Sequence, residues 1–247
     1  MSYYRSAPPP RGFGGGGLAL PPFTPVIRGI VVACAGVYLL EIATYLGSGR
    51  SAWFMELFGL SSWGVLHRLF LWQPLTYMWL HALDPMHVVF NMLSLWLLGG
   101  ELERQWGARR FLVYYLVCGV GAAPFIVAAD MIPGAHASTV GASGAIFGII
   151  VAFGVVFAER VIYLMALFPI KARTFAWIMF AVAFLSMLTQ TQAGVSSIAH
   201  LGGMLVGWLY LKRIWRLPDM YRELRWRLRR RRFRVMDSRG DDNRYLH

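Results

Sequence analysis

Acid and cysteine are both scarce in this chain. Only 12 Asp and Glu stand against 24 Lys and Arg, and charged residues of either sign make up 15% of 247 positions. The two cysteines, Cys34 and Cys118, lie inside apolar runs without metal-ligand spacing. A disulfide framework is therefore not expected, and both read as packing residues. No other residue pattern signals a metal or an organic cofactor. An Ala-x-Ala site is missing after the first apolar run, which begins late, so a cleaved signal peptide is not expected. What the chain has instead is apolar residues, 57% of the total. They fall in long runs with the charges pushed into the gaps, the pattern of an integral membrane protein rather than of a soluble core.

Taken in order, residues 1–25 carry Pro8 to Pro10 and Gly14 to Gly17. That composition cannot build a core and predicts a disordered N-terminal segment. Residues 26–211 form the membrane domain. Its first span runs from about Val26 to Leu46, with Glu41 near the far end, where a carboxylate reaches the interface. From Gly47 to Pro85, Trp53, Trp63, Trp72 and Trp79 are interleaved with Arg50, Glu56, His67 and Arg68. This stretch is too polar to span and too aromatic for a solvated loop, so it reads as interfacial. Further spans are expected at Met86–Gly100, Phe111–Ala129, Gly141–Phe157, Thr174–Leu188 and Ser197–Leu211, six in all. The fold class is an all-α polytopic membrane protein. Residues 212–247 form a basic tail.

Lysine and arginine set the orientation. Arg5, Arg11 and Arg28, then Arg104, Arg109 and Arg110, then Arg160, Lys171 and Arg173, then the tail from Lys212 all fall on one side. The other side holds only Arg50 and Arg68. Both termini are expected to be cytoplasmic. The second, fourth and sixth spans then run inward, and at roughly 1.5 Å per residue His87, Asn91, Ser143 and His200 share the outer half of the bilayer. Polar side chains at that depth are costly unless paired or facing water.

Each has a packing alternative. Ser143 sits among Gly141, Ala142, Gly144, Ala145 and Gly148 and alone would be one more small residue; His200 alone would hydrogen-bond a neighbouring helix. His87 and Asn91, one turn apart, alone would be interhelical glue. Their convergence at one depth outweighs these readings. Gly203 and Gly207 form a small-residue face that brings the last span against the fourth, close enough for a direct Ser143–His200 hydrogen bond. A serine beside a neutral histidine suits acyl transfer. His87, the Asn91 amide and the Ser143 backbone N–H are then candidate oxyanion donors. Asp84 and Asp130 fall in loops, so the reading is a dyad rather than a triad.

With Gly141-Ala142-Ser143-Gly144, Ala199-His200-Leu201-Gly202-Gly203 with Gly207, His81 followed by His87-Val88-Val89-Phe90-Asn91, and Gly99-Gly100-Glu101-Leu102-Glu103, the chain closely resembles the rhomboid intramembrane serine proteases. The resemblance covers about Leu71 to Leu211. It implies a six-helix rhomboid-like bundle with an interfacial first loop, Ser143 as nucleophile, His200 as general base, and His87 and Asn91 stabilising the oxyanion. It implies cleavage of transmembrane protein substrates near the outer face, with no cofactor and no metal. Phe147 matches a position where some members stack a tyrosine on the histidine. Trp72-Gln73 departs from the Trp-Arg of many members, a change touching the loop rather than the dyad, and His81 is expected to support that loop. Substrate is expected to enter past the fifth span, under a cap around Thr189 to Ser196. A bacterial plasma (inner) membrane is the expected location. The arginine tail is read as an anchor for anionic lipid, with no nucleic acid expected. The oligomeric state is not legible. Two other classes compete: a catalytically silent client-binding relative, against which the intact Ser143 and His200 argue, and a small transporter, which predicts broken helices or an internal repeat.

Overall fold

The computed structural model describes residues 21–131, 138–164, 168–189 and 197–212. The expectations for the N-terminal segment up to residue 20, most of the loop after Asp130, the cap over 190–196 and the tail from 213 lie outside them.

Helix α1 spans Pro25–Gly47, opened by a proline whose missing N–H costs nothing at a first turn. Ile27, Ile30, Cys34 and Glu41 are its buried residues, while Val32, Leu39 and Leu46 are exposed. A helix apolar on its outward face too is suited to lipid. The following segment carries the short helices α2 (Trp53–Phe58) and α3 (Gln73–Thr76), with a wide turn at Trp63–His67 and a tight one at Tyr77–Trp79. Helix α4 (Pro85–Ser94) continues through a wide π-type turn at Leu95–Gly99 into α5 (Gly100–Trp106), and Gly107 at φ +83° breaks the run. Helix α6 covers Ala108–Asp130, and α7 covers Ser143–Val156. A two-stranded antiparallel hairpin, β1 (Val161–Leu164) and β2 (Phe168–Lys171), leads into α8 (Ala172–Leu188), and residues 197–212 are helical.

By length and hydropathy α1 and α6 can each cross a membrane, and α7 and α8 are shorter apolar helices. Helix α7 is the centre: Gly144 through Ile150, then Ala152 to Gly154, are all buried, packed by α6 on one side and α8 on another. Helix α8 is peripheral. Ala172 and Ala183 are its buried residues, and Trp177, Val182 and Leu185 face outward.

Two expectations are corrected here. The segment between α7 and α8 holds a hairpin, with Ile162 opposite Ile170, in a fold expected to be all-α. Glu41, expected to reach outward near the end of its span, points into the fold instead. It is 1% exposed, buried against the chain that precedes α4. The helix geometry accounts for this, because Glu41 lies on the same stripe of α1 as Ile27, Ile30 and Cys34.

Candidate active site

The first loop is tied together by one amide. Gln73, fully buried, accepts from the Ser61 N–H at 3.2 Å and donates to the carbonyls of Glu56 at 3.1 Å and Leu57 at 3.3 Å. The Trp72 indole donates to Leu57 O at 3.0 Å, and the Thr76 hydroxyl to Phe58 O at 2.6 Å. The loop so held reaches across to the chain leading into α7. Leu60 and Thr139 exchange backbone hydrogen bonds of 2.9 and 2.8 Å, and Gly141 N–H donates to Tyr77 O at 2.9 Å. Gly141 sits at φ +129°, a conformation that side chains rarely adopt. Two residues later Ser143 opens α7, where the first N–H groups have no partner within the helix.

Helix α4 brings the next two groups. Asp84 caps it, its side chain accepting from Met86 N–H at 3.0 Å. His87 lies in the first turn, and its Nδ1 accepts from the Ala82 N–H at 3.1 Å. A neutral ring accepting at Nδ1 carries its proton on Nε2. That edge faces the chain before Ser143: a Cβ at Gly141 would lie 3.1 Å from both Cε1 and Nε2 of His87. Asn91, 7% exposed, spends one amide N–H on the His87 carbonyl at 2.8 Å and has a second to offer.

The helix over 197–212 is pressed against α7 through glycine. A Cβ on Gly203 would collide with the Gly144 carbonyl, and one on Gly207 would lie 3.1 Å from Gly148 Cα. Tyr114 of α6 supports the same seam by donating to Gly148 O at 2.7 Å. This close approach lays the His200 ring flat on Phe147, with centroids 4.0 Å apart and planes within 6°.

His87, Asn91, Ser143 and His200 all line one cavity of about 580 Å³, with Tyr77, Gly141 and Phe147. No hydrogen bond joins Ser143 to His200 among the described residues, although the helix seam suggested a direct one. A larger cavity of about 710 Å³ lies under the first loop, lined by Trp53, Glu56, Trp63, Arg68 and Asp130, and none of the four residues lines it. Among the described residues, no cluster of three or more His, Cys, Asp or Glu is disposed to hold a metal ion.

Behind the cavity stands a pair that sequence reasoning did not connect. Both carboxylate oxygens of Glu41 accept from the His81 backbone N–H, each at 3.2 Å. The His81 ring is fully buried, neither ring nitrogen makes a hydrogen bond of ordinary geometry among the described residues, and its edge meets the His87 ring at 5.3 Å. Burial first, then the His87 ring, hold the His81 imidazole down to about 4 from the usual 6.5, against a weaker pull from the Trp79 backbone. Forty residues separate Glu41 from His81, and no periodicity in a sequence announces a contact to a backbone N–H. Tyr77 was missed for the same reason: its hydroxyl donates to Gly119 O at 2.7 Å, 42 residues away.

A family profile described as Rhomboid domain matches residues 68–217. RHOMBOID-like protein 2 of Arabidopsis thaliana is 34% identical over 163 residues, 64% of this chain and 47% of that protein. Rhomboid protease AarA of Providencia stuartii is 31% identical over 150 residues, 55% of this chain and 53% of that protein. Rhomboid protease GluP of Bacillus subtilis is 40% identical over 77 residues, 31% of this chain and 14% of that protein. The chain thus spans about half the length, or less, of these relatives.

Proposed function

The chain belongs to the rhomboid family, a family of multi-pass membrane proteins, and from that premise we propose that it is an intramembrane serine endopeptidase acting on transmembrane proteins. The observation that carries this reading is the single cavity lined by Ser143, His200, His87 and Asn91. In the proposed reaction the Ser143 hydroxyl attacks a peptide carbonyl while His200 takes its proton. The oxyanion so formed is met by the Nε2–H of His87, the second amide N–H of Asn91 and the Ser143 backbone N–H. His200 then returns the proton to the leaving amine, and water, activated in turn by His200, cleaves the acyl-enzyme. Phe147 acts as a floor that fixes the imidazole plane. Nucleophile–base pairs of this type tighten around a bound substrate, so the missing Ser143–His200 hydrogen bond is compatible with the scheme.

The proposal includes a six-span bundle in a bacterial inner membrane with both termini cytoplasmic, cleavage near the outer face, lateral access past α8, and a tail that meets anionic lipid. The outward-facing Trp177, Val182 and Leu185 of α8 suit a surface that a substrate helix crosses. The test uses purified protein in liposomes, a fluorophosphonate probe and a model transmembrane substrate. Wild type is expected to be labelled and to cleave, and Ser143→Ala and His200→Ala each to lose both. Cleavage that survives Ser143→Ala would sink the assignment of the nucleophile. Folded wild type that neither labels nor cleaves would move the silent, client-binding reading to the front.

A further inference from the structure

Glu41 is the most anomalous residue in the structure. It is a carboxyl group on an apolar helix, 1% exposed, and its only hydrogen-bond donor among the described residues is one backbone N–H. An ionisable side chain at membrane depth is costly and is kept where it does something. A purely structural acceptor for one amide could be a neutral side chain, so what that amide is connected to decides the matter.

The donor belongs to His81, and the next N–H along the chain, that of Ala82, is the one that donates to His87 Nδ1. Two successive N–H groups, sharing the Cα of His81, therefore point at Glu41 and at His87. The His81 ring is attached to the same Cα and closes the linkage from the other side, its edge set against the His87 ring at an angle of 67°. Since neither of its nitrogens meets a partner at ordinary hydrogen-bond geometry among the described residues, the ring serves as a wall, held in place by its backbone. Release of the His81 N–H would let this corner rotate. The Ala82 N–H would then leave Nδ1, and nothing else among the described contacts would keep the His87 proton on Nε2.

We propose that Glu41, from the first helix, is a positioning residue that fixes the tautomer and direction of His87 through the His81–Ala82 corner. The inference rests on the protease reading only for its kinetic consequence. The tautomer can be observed whether or not the protein cleaves anything.

The test is nitrogen-15 NMR on histidine-labelled protein in detergent, with His87 assigned by the signals lost in His87→Gln. In wild type, Nδ1 is expected to be bare and Nε2 protonated. In Glu41→Leu the single tautomer is expected to give way to a mixture, with kcat lowered about 10- to 100-fold, as for lost orienting partners elsewhere, and KM little changed. Glu41→Gln retains a carbonyl acceptor and is expected to recover most of the single tautomer. A Glu41→Leu protein that keeps one His87 tautomer and an unchanged kcat would overturn the proposal. So would a wild-type ring protonated on Nδ1, a result that needs no folded variant. An inactive wild type with the expected spectrum and its loss in Glu41→Leu would instead leave the positioning intact and remove the protease reading.

Discussion

At the scale of the residue, Gly141 is under two constraints at once. Its φ of +129° strains any side chain, at a cost of about 1–3 kcal/mol, and its Cβ would crowd His87. Gly141→Ala is therefore expected to lose activity more than stability. Cleavage should fall roughly 10- to 100-fold, the scale of a catalytic group displaced by an ångström, while thermal unfolding in detergent shifts only modestly. His81 makes a separate prediction from its depressed imidazole, which titrates near 4 in the folded chain against 6.5 when exposed. Between these values the unfolded chain binds a proton that the folded one refuses. The contribution is thus whole above about pH 6.5 and is lost as pH falls toward 4, on the order of 3 kcal/mol in all. Comparing stability against pH for wild type and His81→Asn should show that slope flatten in the variant. That Ser143, His200, His87 and Asn91 line one cavity agrees with the grouping expected from the pattern of charge and hydropathy along the chain. The Glu41–His81 contact was not legible there, because a side chain accepting from a distant backbone leaves no trace in either.

At the scale of the element, the seam between α7 and the 197–212 helix is a backbone contact. Gly203→Ala would place a methyl against the Gly144 carbonyl, which has no rotamer with which to yield. The helices must part, at a cost of about 1–3 kcal/mol, and the His200–Phe147 stack must open with them. A lowered melting temperature together with reduced probe labelling would bear this out; unchanged labelling would show that the stack does not depend on the seam. The small residues of this seam could be read in advance, as could α1 and α6, whose apolar runs are long enough to cross a bilayer. The β1–β2 hairpin could not. Val161-Ile162-Tyr163 and Phe168-Pro169-Ile170 are short apolar runs flanked by Arg160 and Lys171, and nothing in such a run separates a strand from a loop crossing an interface. The role of Gln73 was equally hidden, since one amide meeting three backbone groups looks in sequence like any polar residue in a polar loop.

At the scale of the whole molecule, a carboxylate holds the first helix in place. Glu103 of α5, 3% exposed, accepts from the Thr24 hydroxyl and from the N–H groups of Val26 at 3.0 Å and Ile27 at 3.1 Å. It caps α1 from another helix, and its charge complements the positive end of the α1 dipole. Glu103→Ala strands three donors and is expected to cost about 2–3 kcal/mol, read as a lower midpoint of thermal unfolding, with Glu103→Gln losing less. An unchanged midpoint in Glu103→Ala would show that α1 is held by its packing alone. The same cap sets an order of events during synthesis. Thr24 precedes Glu103 by 79 residues, so at a translation rate of roughly 5–20 residues per second the head of α1 waits several seconds for its partner to be made. In that interval water or lipid headgroups must serve its amides, and the first helix of the nascent chain can find its final seat only after α5 has been made.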